Sequence, residues 1–459
     1  MDGSDQAWST SITCLVIRDA TPRILVVDSS AHLTLPQITF DTDDVDDADV
    51  TAEFRKRFGR DVRMLRMLHE RRDDAARRTE LLFHFEDFGP ASEAPSALRW
   101  AEMTEMPDGF GLPSALADLS RATVVEIESG IVPSGRRPWA RPGWHAEAEA
   151  WMRTAAADIG YAMKGPVEEV RTWAISRVLR MPTDRCALYF KASGGSRLFC
   201  KEAQVTAGLA TRFPAHVPKP IAIEPNQGWM LTPDFGGPIG SGTTAQRADA
   251  LRQFATLQVK AVSSIADLLA LGCADRRLPI LAGQIRHLLT KIAPGAGVTE
   301  AEITRLKSSL SPLEALCARL ATYRVPPTLM HGDLHMNNIA VRGPGTAPGY
   351  LFFDWTDACI SHPFLDLIAI RPKMETSDRL ALTNAYLEPW TAFEPMPRLL
   401  DMTVMAMPLV AMHQAVSYSA IDEGCEAPIM YGDQTAFSVW LREALESLPA
   451  ACRVAGLVQ

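Results

Sequence analysis

His331-Gly332-Asp333-Leu334-His335-Met336-Asn337-Asn338, followed by Leu351-Phe352-Phe353-Asp354-Trp355, is the stretch on which the reading of this chain turns. Two acidic residues and an amide stand on two short loops, each beside an apolar run. Residues 339–341 and 350–353 predict two short strands, with 342–349 as the turn between them. Such a hairpin puts Asn338 at the start of one strand and Asp354 at the end of the other, where both side chains can meet one divalent cation. Asp333 stands five residues before Asn338, on the loop entering the hairpin, and there it can face a hydroxyl. A polyphosphate carries its charge on oxygen, and Mg²⁺ on hard oxygen ligands is the matching counter-charge. Asp and Asn also cap helices and make turns, so a lone HGD would not discriminate. The whole spacing, with strand, turn, strand and DW, does.

The order Asp, Asn, Asp matches the catalytic loop and metal-binding Asp of kinases. On these motifs, about residues 165–450 resemble the aminoglycoside phosphotransferase family, the group that also holds choline, homoserine and related small-molecule kinases. The resemblance implies an α+β, protein-kinase-like bilobal fold, with a small β-rich lobe and a large helical lobe. It also implies an enzyme, an O-phosphotransferase that uses ATP (GTP is left open) and Mg²⁺ to phosphorylate the hydroxyl of a small molecule. Aminoglycoside, sugar and amino-alcohol acceptors all stay open. In residue terms it implies Asp333 as catalytic base, Asn338 and Asp354 as metal ligands, His331 as a buttress of the loop and Asp366 as a structural anchor. His335, Asp357, Glu423 and Glu426 are the acceptor-side candidates, the last two in an acidic segment that includes Asp422 and Asp433. Where the family often has Gly before the Pro of Pro363-Phe364-Leu365-Asp366, this chain has His362.

A kinase-like small lobe needs a strand Lys on the phosphates and a helix Glu to hold it. Lys191, in Leu188-Tyr189-Phe190-Lys191-Ala192, punctuates an apolar strand, where an unpaired ammonium would be costly. Glu202, eleven residues on, is its expected partner. Lys201 competes, but adjacent residues do not easily pair from two separate elements. Strands are expected at 167–170, 173–181, 187–192, 196–200 and 228–232, and a helix from about 198 or 201 to 213. No glycine-rich phosphate loop is present. Its counterpart is the turn at 173–176, where Ser176 and backbone amides would meet phosphate. Asp234-Phe235-Gly236 looks like a metal-binding DFG but precedes the catalytic loop. By resemblance it belongs to the hinge, with residues 230–233, Met230 and Thr232 among them, facing the adenine.

The chain divides by composition into four segments: 1–120, 121–165, 166–237 and 238–459. In the first, strands at 12–17 and 23–27 joined by a turn at 19–22, then Leu33-Thr34-Leu35-Pro36, a helix at 52–58 ended by Gly59, and strands at 62–68 and 79–85 resemble a Nudix hydrolase, a small α/β domain. That family's pyrophosphatase needs a helix crowded with metal-binding glutamates. Here Ala52-Glu53-Phe54-Arg55-Lys56-Arg57-Phe58-Gly59 offers one, so the expectation is a catalytically dead module. The six carboxylates between Asp41 and Asp49 read as a solvated loop leading into that helix. Residues 121–165 form a Pro- and Trp-rich linker, in which Trp139, Trp144 and Trp151 serve as packing glue or line a ligand, and a helix over 145–156. Beyond it, helices are expected at 244–270, 280–292, 300–323 with a kink at Pro312, 376–386, 399–418 and 437–448.

With 47% hydrophobic and 22% charged residues and a net charge of −9, the chain lacks the basic stripe of a nucleic-acid binder. Eight scattered cysteines, without a CxxC pair, fit a reducing compartment. With no apolar run of membrane length expected and no signal peptide visible, a cytoplasmic protein follows. Oligomeric state stays open. His331 and His335 could suggest zinc, but Gly332 breaks a continuous helix and no HExxH pattern exists. Against the enzyme stands a non-catalytic nucleotide-binding or regulatory protein, which the complete Asp333, Asn338 and Asp354 set weakens. A third reading adds a working pyrophosphatase in front, against which the missing glutamates argue.

Overall fold

A computed structural model describes residues 7–18, 22–29, 32–90, 97–105, 111–195, 197–240, 242–295, 297–342, 349–370, 374–426 and 434–457. Most of the turns expected at 19–22 and 342–349, the start of the closing segment at 107–119, and Asp433 lie outside the described residues. The chain forms two compact units, Met1–Gly194 with Gly424–Tyr431, and Gly195–Glu423 with Gly432–Gln459. This division differs from the four expected segments: strands assigned to the small lobe are grouped with the front domain.

The first unit begins with β1 (Ser9–Arg18), β2 (Arg23–Ser29), β3 (His32–Thr34), β4 (Gln37–Phe40), α1 (Asp47–Phe58), β5 (Arg60–Asp73), β6 (Arg78–Pro90) and β7 (Leu98–Ala101). These strands form one mixed sheet of order β3-β2-β1-β6-β5, with β4 on β1 and β7 on β2. β1 runs parallel to β6, from Ser9 opposite Arg78 to Ile17 opposite Glu86. Side chains alternate along β1, so Ile12, Cys14 and Val16 pack with Val50, Phe54 and Phe58 of α1. Leu15 and Ile17 take the other face, in a cluster with Val124 of α2 (Ser114–Ser129).

The unit continues with α3 (Trp144–Asp158) and an antiparallel meander of β8 (Glu168–Thr172), β9 (Ser176–Met181) and β10 (Leu188–Ser193). Trp139 and Trp144 are buried edge to face at 6.3 Å. Trp144 and Trp151 both reach Phe190 of β10, at 6.0 and 5.8 Å. That is the arrangement of packing glue.

The second unit contains α4 (Glu202–Arg212), β11 (Ala222–Glu224), β12 (Trp229–Pro233), α5 (Thr244–Ala261), α6 (Ile265–Leu271), β13 (Ala274–Asp275), α7 (Leu278–Lys291), α8 (Glu300–Ser308) and α9 (Leu310–Leu320). β14 (Thr328–Met330), β15 (Ile339–Arg342), β16 (Gly349–Phe352), β17 (Cys359–Ser361), α10 (Thr376–Leu387), α11 (Met396–Gly424) and α12 (Gln434–Ala455) complete it. β17 pairs with both β13 and β14, and β15 with β16. One apolar cluster runs through α5, α7, α9, α11 and α12 and reaches the β15–β16 hairpin through Ile339, Tyr350 and Phe352.

Three expectations need correction. Residues 197–200 are turn and bend instead of strand, because Cys200 spends its N–H on Thr356 O at 3.0 Å and its thiol on Trp355 O at 2.9 Å. The helix expected over 300–323 is two helices that meet at Ser309. Pro312 has no N–H to donate one turn back, so the break comes before the proline. Finally, Thr244–Leu271 and Met396–Gly424 do have the length and hydropathy of membrane spans. In the second of these, 72% of the most apolar window is buried inside the fold, which is the place of a core helix.

Candidate active site

β14 delivers the chain into His331-Gly332-Asp333. The β15–β16 hairpin then fixes the other end of the motif. Asn338 ends a short 3₁₀ turn, Met336–Asn338, and its side-chain N–H donates to Asp333 O at 3.0 Å. Its own carbonyl accepts from Phe353 N at 3.1 Å. The loop before the hairpin is thereby tied to the loop after it, and the backbones carrying Asp333, Asn338 and Asp354 are brought together. Asp354 takes the left-handed conformation, φ +65°. That is a sparsely populated region for a residue with a Cβ, and such strain collects at functional sites.

Asp366 is the fastener beneath this loop. It is buried, and its carboxylate accepts from His331 N at 2.9 Å, Gly332 N at 2.8 Å and the Gln258 side chain at 2.8 Å. Burial pushes its pKa up to about 7, against the pull of those N–H groups. Gly332 sits at φ +83°, and a Cβ there would lie 2.3 Å from Asp357 O. Only glycine fits this crossing. Gln414 of α11 closes the other side by donating to Gly332 O at 2.6 Å.

His331 is fully buried, with Nε2 2.8 Å from Phe353 O and its ring 4.7 Å from that of Trp355. A carbonyl can only accept, so Nε2 carries the proton. Burial lowers the pKa of the ring and keeps it neutral. It therefore braces two backbones. His335 is half-buried, accepts from Asn337 N at 3.2 Å and places Nε2 3.5 Å from Asp333 Oδ2. The two histidines thus face different surroundings. Among the described residues no group of three or more His, Cys, Asp or Glu side chains could hold a metal. The oxygen donors of Asn338 and Asp354 are of the kind Mg²⁺ takes. Asn338 spends its amide N–H on Asp333 O, which leaves its oxygen end to join the Asp354 carboxylate in an all-oxygen pair. Mg²⁺ typically takes one or two such protein ligands and keeps water and phosphate for the rest.

Thr356 was not anticipated. Its hydroxyl lies 2.8 Å from Glu202 Oε2 and 3.0 Å from Asp354 Oδ1. One hydroxyl proton serves one carboxylate at a time, so Thr356 links Asp354 to the buried Glu202 at the first turn of α4. Gln258 and Gln414 were missed as well. Each is a polar residue on the apolar face of a core helix, and that misfit is the signal that could have found them.

The remaining predicted residues lie as follows. Lys191 is half-buried on β10 opposite Val178, in the first unit, whereas Glu202 belongs to the second. Lys201 is exposed and precedes α4. Ser176 is buried at the start of β9, opposite Ser193. Met230 and Thr232 are buried on β12, Met230 opposite Ile223. Asp234 accepts from Gly236 N at 2.9 Å, a local turn that fits a hinge better than a metal site. Asp357 packs its backbone against Gly332. Glu423 is exposed, 3.8 Å from Lys291. Glu426 belongs to the first unit, where Arg136 and Arg66 both engage it. Its charge is matched there by two guanidiniums. A cavity of about 440 Å³ in the first unit, lined by His84, Glu126 and Arg136 among others, contains none of the predicted site residues.

Residues 191–395 match the family model described as the phosphotransferase enzyme family, APH. Among solved structures, the chain is similar to a choline/ethanolamine kinase family protein from Mesorhizobium loti, at 16% identity over 67% of this chain and 94% of that one, TM-score 0.45. It is similar to the choline kinase LicA from Streptococcus pneumoniae, at 12% identity over 66% and 99%, TM-score 0.48. A third is aminoglycoside 2'-phosphotransferase-IIIa in its GDP complex, at 13% identity over 67% and 99%, TM-score 0.46. No curated protein matches the chain.

Proposed function

We propose that this chain is a small-molecule O-phosphotransferase that moves the γ-phosphoryl group of ATP or GTP to a hydroxyl acceptor. The observation that carries the reading is the tie between the two loops, from Asn338 to Asp333 O and from Phe353 to Asn338 O, with Asp366 beneath them. The family match over residues 191–395 supports it.

Asp333 is the base. The acceptor oxygen attacks the γ-phosphorus, the bond to the β–γ bridging oxygen breaks, the nucleoside diphosphate leaves, and the hydroxyl proton passes to the Asp333 carboxylate. Held by Asn338 and Asp354, Mg²⁺ would supply neutralisation of phosphate charge. Thr356 steadies Glu202 and Asp354. Met230 to Pro233 offer backbone groups to the base. Most of the rate comes from positioning and electrostatics. His335 biases Asp333 from the acceptor side.

We read the front domain as Nudix-like in descent and without pyrophosphatase chemistry. Glu53, its sole glutamate on α1, is half-buried and pairs with Lys56 at 2.8 Å. The eight free cysteines fit work in the cytoplasm.

The test is a γ-phosphate transfer screen over a library of hydroxyl compounds. With the acceptor found, Asp333→Asn should slow transfer by about 10³-fold. Full rate in that variant would remove Asp333 as the base.

A further inference from the structure

Side chains alternate along β6, so Leu82, His84 and Glu86 share one face of the front sheet, the face that carries Leu15 and Ile17 of β1 and turns away from α1. His84 stands opposite Leu15 on one side and Arg66 on the other. Over this face lies the cavity of about 440 Å³, a size that holds a small molecule. Ile17, Leu65, Ile127, Ile131 and Val132 give it apolar walls. No described residue of α1 lines it, so it owes nothing to the helix that a pyrophosphatase would use.

Every charged residue of the lining is engaged by the fold. Arg136 donates to Glu126 and Glu426, and Arg66 reaches the same two carboxylates. Arg60 holds Asp87 through Nε at 2.8 Å and Nη2 at 2.7 Å. Glu86 accepts from Gly143 N at 2.6 Å, Arg141 donates to Arg136 O at 3.3 Å, and Arg18 lies 5.7 Å from the centre of the Trp100 ring. A charged ligand would have to compete with these partners.

His84 is different. It is 2% exposed, and its Nδ1 has no hydrogen-bond partner among the described residues. Burial, with the Arg66 and Arg136 guanidiniums, holds its pKa well below the imidazole range, so the ring is neutral. A neutral imidazole presents one N–H and one lone pair, and a buried polar atom left unserved costs free energy. A hydroxyl both donates and accepts, so it serves either tautomer. Ile131 and Val132, in turn, are 68% and 49% exposed. Exposed apolar residues scattered singly need no explanation, but these two are neighbours on the rim of a cavity.

We propose that this cavity binds an uncharged, largely apolar small molecule that carries a hydroxyl group, with His84 as its polar contact and Ile131 and Val132 against its apolar body. Binding here would hold whether or not the chain transfers phosphate.

The test titrates the full-length protein near neutral pH with phenol, toluene and benzoate, followed by saturation-transfer NMR. Phenol and toluene share a shape, and transfer out of water by itself favours toluene. A hydrogen bond to His84 reverses that order, so phenol should bind about tenfold more tightly than toluene, and benzoate more weakly than phenol. His84→Leu should weaken phenol about tenfold and leave toluene bound as before. Ile131→Ser should weaken phenol and toluene alike, about threefold; it changes an exposed residue and keeps the test open if His84→Leu does not fold. No detectable phenol binding, a preference for toluene or benzoate, or a phenol affinity indifferent to these variants would each overturn the inference.

Discussion

Asp366 and Asp47 are both buried aspartates, and burial pushes the pKa of each up to about 7. The protein treats them differently. Asp366 is surrounded by neutral donors, two backbone N–H groups and an amide. Asp47 has Arg177 at 3.6 Å and no hydrogen-bond partner for its Oδ2. Around it, Glu169 and Glu149 share the guanidiniums of Arg177 and Arg63. Arg153 also reaches Glu149, at 3.3 Å, so three carboxyl groups face three guanidiniums, and it is burial, the largest influence, that favours a proton on Asp47. A carboxylate among N–H groups fixes a backbone, while one among charges adjusts to them. The first kind suits a loop whose backbone must be held in place, where each hydrogen bond is also a coordinate.

The difference predicts unequal responses. Asp366→Ala strands three buried donors and should cost about 4 kcal/mol in urea unfolding of the second unit, with loss of transfer activity. A cost near that of an ordinary surface change would break the comparison. Gly332→Ala inserts a Cβ against Asp357 O and should cost about 3 kcal/mol, less than Asp366→Ala because the carboxylate survives. Asp47→Ala should cost about 2 kcal/mol, since it opens a cavity beside Arg177. Asp47→Asn should stay under about 1 kcal/mol at pH 7, because a neutral side chain resembles the protonated one. If Asp47→Asn instead cost as much as Asp47→Ala, Asp47 would be a charge partner and not a proton carrier.

The smallest effect concerns pH. A carboxyl raised by folding holds a proton that the unfolded chain has lost. Its contribution is therefore complete below pH ~4 and fades as the pH rises to about 7. The buried histidines act oppositely. His84, His145, His331, His362 and His413 are held neutral by burial, and their contribution is lost as the pH falls below the usual imidazole range. Wild type mixes both trends. Subtracting the Asp47→Asn urea midpoints from those of wild type at pH 5 and pH 7.5 should leave a difference that declines toward the higher pH.

The pairing around the HGD loop was legible because it is local. Asn338 and Asp354 flank one hairpin, β15–β16, with Asp333 on the loop that enters it, and hairpin pairing follows from short-range pattern. Asp47 was not, since five similar carboxylates surround it in sequence. A signal did exist. Asp47, Val50, Phe54 and Phe58 follow helical spacing and are the buried residues of α1, so Asp47 continues an apolar stripe. Arg177 likewise precedes Leu179 and Met181 on the buried face of β9. Their pairing spans too many residues for any local rule. The parallel β1–β6 ladder and the capture of Glu426 by Arg66 and Arg136 were invisible for the same reason.

Because Gly424–Tyr431 belongs to the first unit, truncation at Gly194 would not yield an intact front half. Such a fragment would lack Cys425, the thiol beside Arg137, and Glu426, leaving two guanidiniums, Arg66 and Arg136, with one fewer counter-ion. A gene fusion or exchange that respects this protein has to carry both stretches together, although they are encoded far apart.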